Sequence, residues 1–142
     1  MIYGIGTDIV EIIRIKDAVE KWGERFLKKI FTENEISYCY KKKDPFPHLA
    51  VRFAAKEAFI KAISLSVTSQ ESEVSSKNTE DRPIKISNLK NIEILNHPSG
   101  KPFISLSRNL KLSFSDDFII HLTLSHERSY AIATVVLERK NS

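Results

Sequence analysis

Ala50-Val51-Arg52-Phe53-Ala54-Ala55-Lys56-Glu57-Ala58-Phe59-Ile60-Lys61-Ala62-Ile63 is the stretch that decides the fold. Apolar residues occupy nearly every direction around a helix of this sequence, the pattern of a helix buried on all sides. Ala50, Ala54, Ala58 and Ala62 recur at every fourth position and make a ridge of small side chains on which another backbone can lie closely. The reading runs this helix from about His48 to Ile63, with Pro45 and Pro47 as punctuation before it. Glu57 and Lys61 sit one turn apart beside the ridge. On a surface such a pair contributes only about 0.2–0.5 kcal/mol. In a buried helix a carboxylate and an ammonium are costly unless they have a purpose. Spacing alone leaves both readings open.

Outward from the helix, Ile2 to Val10 reads as a strand. Alternation puts Gly4, Gly6, Asp8 and Val10 on one face and Tyr3, Ile5, Thr7 and Ile9 on the other. Glycine inside a strand marks close approach of a ligand or of another backbone. Asp8, beside two glycines, pairs with Glu57 as the candidate metal-binding carboxylates, because magnesium commonly takes one or two carboxylates and completes its shell with water and phosphate. A structural or capping aspartate is the plainer alternative. Glu11 to Ile30 reads as a helix with a core stripe of Ile15, Val19, Trp22 and Phe26, weakened at Gly23. If that helix is continuous, Arg14, Lys21, Arg25 and Lys28 fall within about a sixth of a turn of one another. Such a stripe suits either a solvated face or a dock for an acidic helix. Thr32-Glu33-Asn34-Glu35 has the capping-box pattern and starts a further helix that runs to about Lys41–Lys43.

Residues 64–82, rich in Ser, Thr, Glu and Asn, read as an exposed loop of a mobile kind. Beyond Pro83 the pattern is β, with strands expected at Ile84–Ile86, Asn91–Asn96, Pro102–Leu106, Phe118–Ser125 and Tyr130–Glu138. Pro98-Ser99-Gly100 and His126-Glu127-Arg128-Ser129 are the expected turns, and Arg108 to Asp117 is read as a short helix. Ser125 and His126 are neighbours on a strand. Their side chains point to opposite faces, which makes them a poor nucleophile–base pair. At a turn either one can serve the turn itself or hold a phosphate.

The 142 residues suit one domain over residues 1–142. With 42% hydrophobic and 28% charged residues the composition is that of a soluble globular protein. No apolar run approaches the ~20 residues of a membrane span, and no basic-then-apolar leader pattern opens the sequence, so a cytoplasmic protein without membrane association is expected. The single cysteine, Cys39, cannot form an internal disulfide, which fits a reducing compartment. The net charge of +4 points to an anionic partner: nucleic acid, a phosphorylated cofactor or an acidic protein. A small RNA-binding module would want aromatic residues interleaved on its sheet, and these are lacking, so no nucleic-acid partner is expected.

Four segments together resemble the holo-acyl-carrier-protein synthase family of 4'-phosphopantetheinyl transferases. They are Gly4-Ile5-Gly6-Thr7-Asp8-Ile9-Val10-Glu11, Arg52 to Ala62, Asn96 to Phe103 with Gly100-Lys101-Pro102, and Leu124-Ser125-His126-Glu127-Arg128-Ser129-Tyr130-Ala131-Ile132-Ala133. They occur in the family's order. The resemblance implies an α+β fold in which antiparallel sheet packs against a long central helix. It implies transfer of the 4'-phosphopantetheine arm of coenzyme A to a serine of acyl carrier protein, with release of 3',5'-ADP, in the service of fatty acid synthesis. By the same resemblance Asp8 and Glu57 are Mg2+ ligands and, with Lys61 near the pyrophosphate, the catalytic residues. Arg52 and His126, along with Lys61, are expected to bind coenzyme A. Arg14, Lys21, Arg25 and Lys28 are expected to receive acyl carrier protein, and the assembly is expected to be a homotrimer with active sites between subunits. One departure stands out. The family's short glycine-bearing loop after the central helix is replaced here by Ser64-Leu65-Ser66-Val67-Thr68-Ser69.

Overall fold

The computed structural model describes residues 1–68, 86–108, 110 and 117–141. In chain order the elements are β1 (Ile2–Glu11), α1 (Ile12–Trp22), α2 (Glu24–Ile30), α3 (Glu33–Tyr40), α4 (Pro45–Thr68), a 3-10 turn (Ile86–Asn91), β2 (Ile92–Asn96), β3 (Pro102–Leu106), β4 (Phe118–His126) and β5 (Tyr130–Arg139). One antiparallel sheet has the order β1-β5-β4, and β2-β3 is a separate antiparallel hairpin. This is the α+β architecture expected, with the 24-residue α4 lying across the inner face of the larger sheet.

Packing of α4 on the sheet depends on the residues singled out above. Ala50, Ala54, Ala58 and Ala62 are all fully buried, as are Val135 and Leu137 of β5. A Cβ placed on Gly6 would lie 1.9 Å from the Ala58 carbonyl oxygen, and one on Gly4 would lie 2.1 Å from that of Ala62. The two glycines therefore allow strand backbone to touch helix backbone directly, the close approach that glycine in a strand signals. Ile5 and Ile9, on the opposite face of β1, are more than half exposed.

Among the described residues the core contains one ion pair. Lys56 and Glu35 are both fully buried, and Lys56 Nζ donates to Glu35 Oε1 at 2.7 Å. The same ammonium donates to the carbonyls of Ile30 at 2.9 Å and Leu89 at 3.1 Å, so its three protons are all used. Glu35 in turn accepts from the backbone N–H of Thr32 through Oε1 and of Ile94 through Oε2. Burial pulls the Lys56 pKa down and Glu35 opposes that pull. One cluster thus ties the end of α2, α3, α4, the 3-10 turn and β2 together. The capping box on α3 is present in full, and its Glu35 also serves this pair.

Several sequence expectations need correction. The helix read as Glu11–Ile30 is two helices, because Gly23 adopts φ +57° and ends α1. Trp22 is 53% exposed and carries Lys21 over its ring at 4.9 Å, so it does not belong to the core stripe. The central helix is longer than read at both ends. Pro45 and Pro47 lie in its first turn, where a missing N–H costs nothing. At the other end it propagates through Ser64 to Thr68, since extending a formed helix adds a hydrogen bond for each residue fixed. The rest of the loop expected at 64–82 lies outside the described residues, as do Ile84 and residue 85 of the first expected strand; Ile86 belongs to the 3-10 turn. Of the expected helix at Arg108–Asp117, only Arg108 and Leu110 are described as helical. The remaining strands agree with the reading to within one residue at each end. Among the described residues no helix is long and apolar enough to cross a membrane.

Candidate active site

Asp8 is brought to α4 by the same contact that needs Gly6, two residues earlier on the same face of β1. Its Oδ1 accepts from Lys61 Nζ at 2.9 Å, and Lys61 also donates to the Thr7 carbonyl at 3.1 Å. The salt bridge of Lys61 is therefore made to the strand, and not to Glu57 one turn back on its own helix. Glu57 lines the same cavity as Asp8, a hollow of about 290 Å³ that Arg14, Ile15, Phe26 and Phe53 also border. Burial pushes the Glu57 pKa above the usual carboxylate range, the negative charge of Asp8 adds to this, and Lys61 works against it. Two carboxylates sharing one partly buried hollow, each opposing the other's charge, are relieved by a cation between them. Oxygen donors of this number fit magnesium, which keeps waters and phosphate oxygens in its remaining positions. No cluster of three or more His, Cys, Asp or Glu exists among the described residues, so a metal bound by protein side chains alone has no candidate there.

Arg52 and His126 form a second group. Arg52 lies five residues before Glu57 on α4, about 7.5 Å along the axis, and is 2% exposed. Its guanidinium donates to the carbonyl of His48 at 3.1 Å and to Asn96 Oδ1 at 2.6 Å, and its carbon lies 4.3 Å from the Tyr38 ring centre. Asn96 also donates to the Gly100 carbonyl at 2.9 Å, which locks the β2–β3 turn to α4 through Arg52. His126 ends β4 and meets His48 edge to face, with ring centres 5.7 Å apart. The turn after it is held by Glu127, whose Oε1 accepts from the N–H groups of Ser129 and Tyr130.

The basic residues of the first helical segment are divided by the break at Gly23. Arg14 and Lys21 lie on α1, Arg25 and Lys28 on α2, so the single stripe that a continuous helix would carry is not formed. Of the four, Arg14 borders the cavity with Asp8 and Glu57, and Lys28 forms an exposed pair with Glu24 at 3.4 Å. Sequence reading missed Phe53 as a cavity residue and placed Phe26 only in a core stripe. The buried Lys56–Glu35 pair was missed too; its one signal was the capping-box glutamate, which does not name a partner.

The chain matches the family model described as the 4'-phosphopantetheinyl transferase superfamily over residues 4–135. It is 42% identical over 140 residues to the holo-[acyl-carrier-protein] synthase of Halothermothrix orenii, covering 97% of this chain and 98% of that protein. A holo-[acyl-carrier-protein] synthase of Thermodesulfovibrio yellowstonii is also 42% identical, over 137 residues, with 96% and 99% covered. Among solved structures, a holo-(acyl-carrier-protein) synthase from Bacillus anthracis in complex with coenzyme A superposes with a TM-score of 0.69 at 32% identity, covering 99% of both chains. The synthase from Neisseria meningitidis superposes with a TM-score of 0.75 at 33% identity, over 98% of this chain and all of the other. Sequence and fold agree: this chain belongs to the 4'-phosphopantetheinyl transferase superfamily.

Proposed function

We propose that this chain transfers the 4'-phosphopantetheine arm of coenzyme A to a serine hydroxyl of acyl carrier protein, releasing 3',5'-ADP. In the step a bond forms from the serine oxygen to the phosphorus attached to pantetheine, the bond from that phosphorus to the bridging oxygen of the diphosphate breaks with its electron pair leaving on 3',5'-ADP, and the serine proton passes to Asp8 or to water. The observation that carries the reading is the meeting of Asp8, Glu57 and Lys61 from two elements whose backbones touch, in a chain of this family. Asp8 and Glu57 are the residues that would hold Mg2+, and when bound the ion supplies charge neutralisation at the diphosphate oxygens. Lys61, half exposed and tethered to Asp8 and the Thr7 carbonyl, directs its ammonium to the leaving phosphate and offsets the charge that develops there. Such chemistry asks the protein mainly for alignment, and the rigid strand–helix contact gives it. No covalent intermediate on the enzyme is required.

Arg52 and His126 are assigned to the nucleotide end of coenzyme A. Arg14 at the cavity, with Lys21, Arg25 and Lys28, is assigned to the acidic carrier protein. The assembly we propose is a homotrimer with active sites shared between subunits. It is supported by the outer face of the larger sheet, where Ile5 faces Val136 and Ile9 faces Ile132, and where Ile9 is 60% exposed. The reaction is placed in the cytoplasm and needs no membrane or nucleic acid. Apo-carrier protein incubated with the chain, coenzyme A and Mg2+ should gain the mass of a phosphopantetheine arm; no gain overturns the reading. Sedimentation at micromolar concentration should give three chain masses, and a fully active monomer would contradict the assembly.

A further inference from the structure

His48 takes no part in the assignments above, yet it stands between residues that do. It lies in the first turn of α4, and its ring meets Tyr38 of α3 at 6.4 Å and His126 of β4 at 5.7 Å, both edge to face. Arg52 donates to its carbonyl, and Arg52 Nε is buried with no hydrogen-bond partner. Lys42 sits with its ammonium 4.8 Å from the centre of the Tyr38 ring. His48, Arg52 and Lys42 thus gather around one tyrosine and His126 adjoins His48, so four cationic or protonatable groups from α4, β4 and the segment between α3 and α4 lie together. Among the described residues no ion pair engages any of them. Among the described residues Asp44 is the carboxylate whose charge acts on His48 in the other direction.

We infer that His48 is an additional binding residue for a phosphate ester of the nucleotide, and that it takes up a proton when that phosphate binds. The inference rests on the assignment of Arg52 and His126 to the nucleotide. The sign follows from the surroundings. In the free protein, burial holds the His48 pKa below its ordinary value, and Arg52, His126 and Lys42 lower it further, against Asp44. A phosphate seated between the two imidazoles and Arg52 reverses that balance, because a dianion favours the charged ring. Between the lowered pKa of the free protein and the raised pKa of the complex, binding consumes a proton. Over that range affinity rises as pH falls, by up to about tenfold per pH unit for one proton.

The test is calorimetric titration of the full chain with 3',5'-ADP at pH 6 and pH 8, in two buffers of different ionisation enthalpy, so that bound protons are counted. His48→Phe keeps the ring packing on Tyr38 and removes the titration; His48→Gln is the second variant should Phe disturb the fold. Arg52→Gln serves as the locator. We expect either His48 variant to bind about five- to tenfold more weakly than wild type at pH 6, within about twofold of it at pH 8, and with less proton uptake. An equal affinity ratio at both pH values, or unchanged proton uptake, overturns the role of His48 while Arg52→Gln still weakens binding. If Arg52→Gln leaves 3',5'-ADP affinity unchanged, the nucleotide assignment itself falls, and this inference with it.

Discussion

Replacing Gly6 with alanine should damage stability and activity together, because one backbone contact serves both. The new Cβ would lie 1.9 Å from the Ala58 carbonyl oxygen and 2.7 Å from the Ala62 nitrogen. Ordinary contact begins near 3.4 Å, so strand and helix must part by about 1.5 Å. Both atoms belong to the backbone of a buried helix, so no side chain can rotate away. Overpacking of this kind costs about 1–3 kcal/mol, which lowers Tm by roughly 3–10 °C for a chain of this size. Asp8, two residues along on the same face, moves with the strand, and its 2.9 Å contact with Lys61 cannot survive that shift unchanged. A displacement of about 1 Å at a reacting centre can cost 100-fold in rate. Thermal melting and the rate of arm transfer to carrier protein measure the two effects. Adding Ala58→Gly should not rescue Gly6→Ala, since the clash is with the carbonyl and not the methyl. A Gly6→Ala protein with wild-type Tm and rate would refute the argument, and so would rescue by Ala58→Gly.

Lys56→Met should destabilise by about 3–5 kcal/mol, since it leaves Glu35 buried without its cation; chemical denaturation measures this, and Glu35→Gln added to it should recover part of the loss. Glu57→Gln should lower transfer activity strongly and yet leave the metal-free fold at least as stable at neutral pH. The raised pKa of Glu57 means that its neutral form stabilises the fold below the ordinary carboxylate range and that this contribution is lost as pH rises through the folded value. Melting wild type and variant without metal from pH 5 to pH 8 should therefore show their difference growing with pH, in favour of the variant. Asp8→Asn should also lower activity strongly, and wild-type rates in excess chelator would contradict the metal assignment. Arg14→Glu with Arg25→Glu should weaken carrier-protein binding much more than coenzyme A binding, and the effect should shrink with added salt; equal losses for both ligands in separate titrations would leave the basic residues as solvated surface.

Much of the fold was legible because it is written locally. A helix apolar in every direction, a strand with glycine on alternate positions, a capping box and a Pro-Ser-Gly turn each announce themselves within a few residues. The alanine ridge and the two glycines each marked a surface open to close approach, since both lack the bulk that keeps backbones apart, but not that the two would meet each other. Other features belong to no local window. Gly23 was visible as a weak point, but only its φ of +57° decided that the helix ends there and that the basic stripe is divided. Trp22 and Ile15 share one helical periodicity, and only packing decided that the first is exposed while the second is buried. Glu57 is the nearest cation-seeking neighbour of Lys61 in sequence, yet Lys61 reaches Asp8, which lies 53 positions away and arrives with β1. Glu35 and Lys56, and likewise His48 and His126, are joined by the docking of separate elements. Most of the helices and strands, with their apolar or glycine-lined faces, follow from neighbouring residues, whereas the break at Gly23, the exposure of Trp22 and the helical course of residues 64–68 do not. Which charged and aromatic groups meet depends instead on how far and at what register whole elements come to rest against one another, and no local window of sequence holds that.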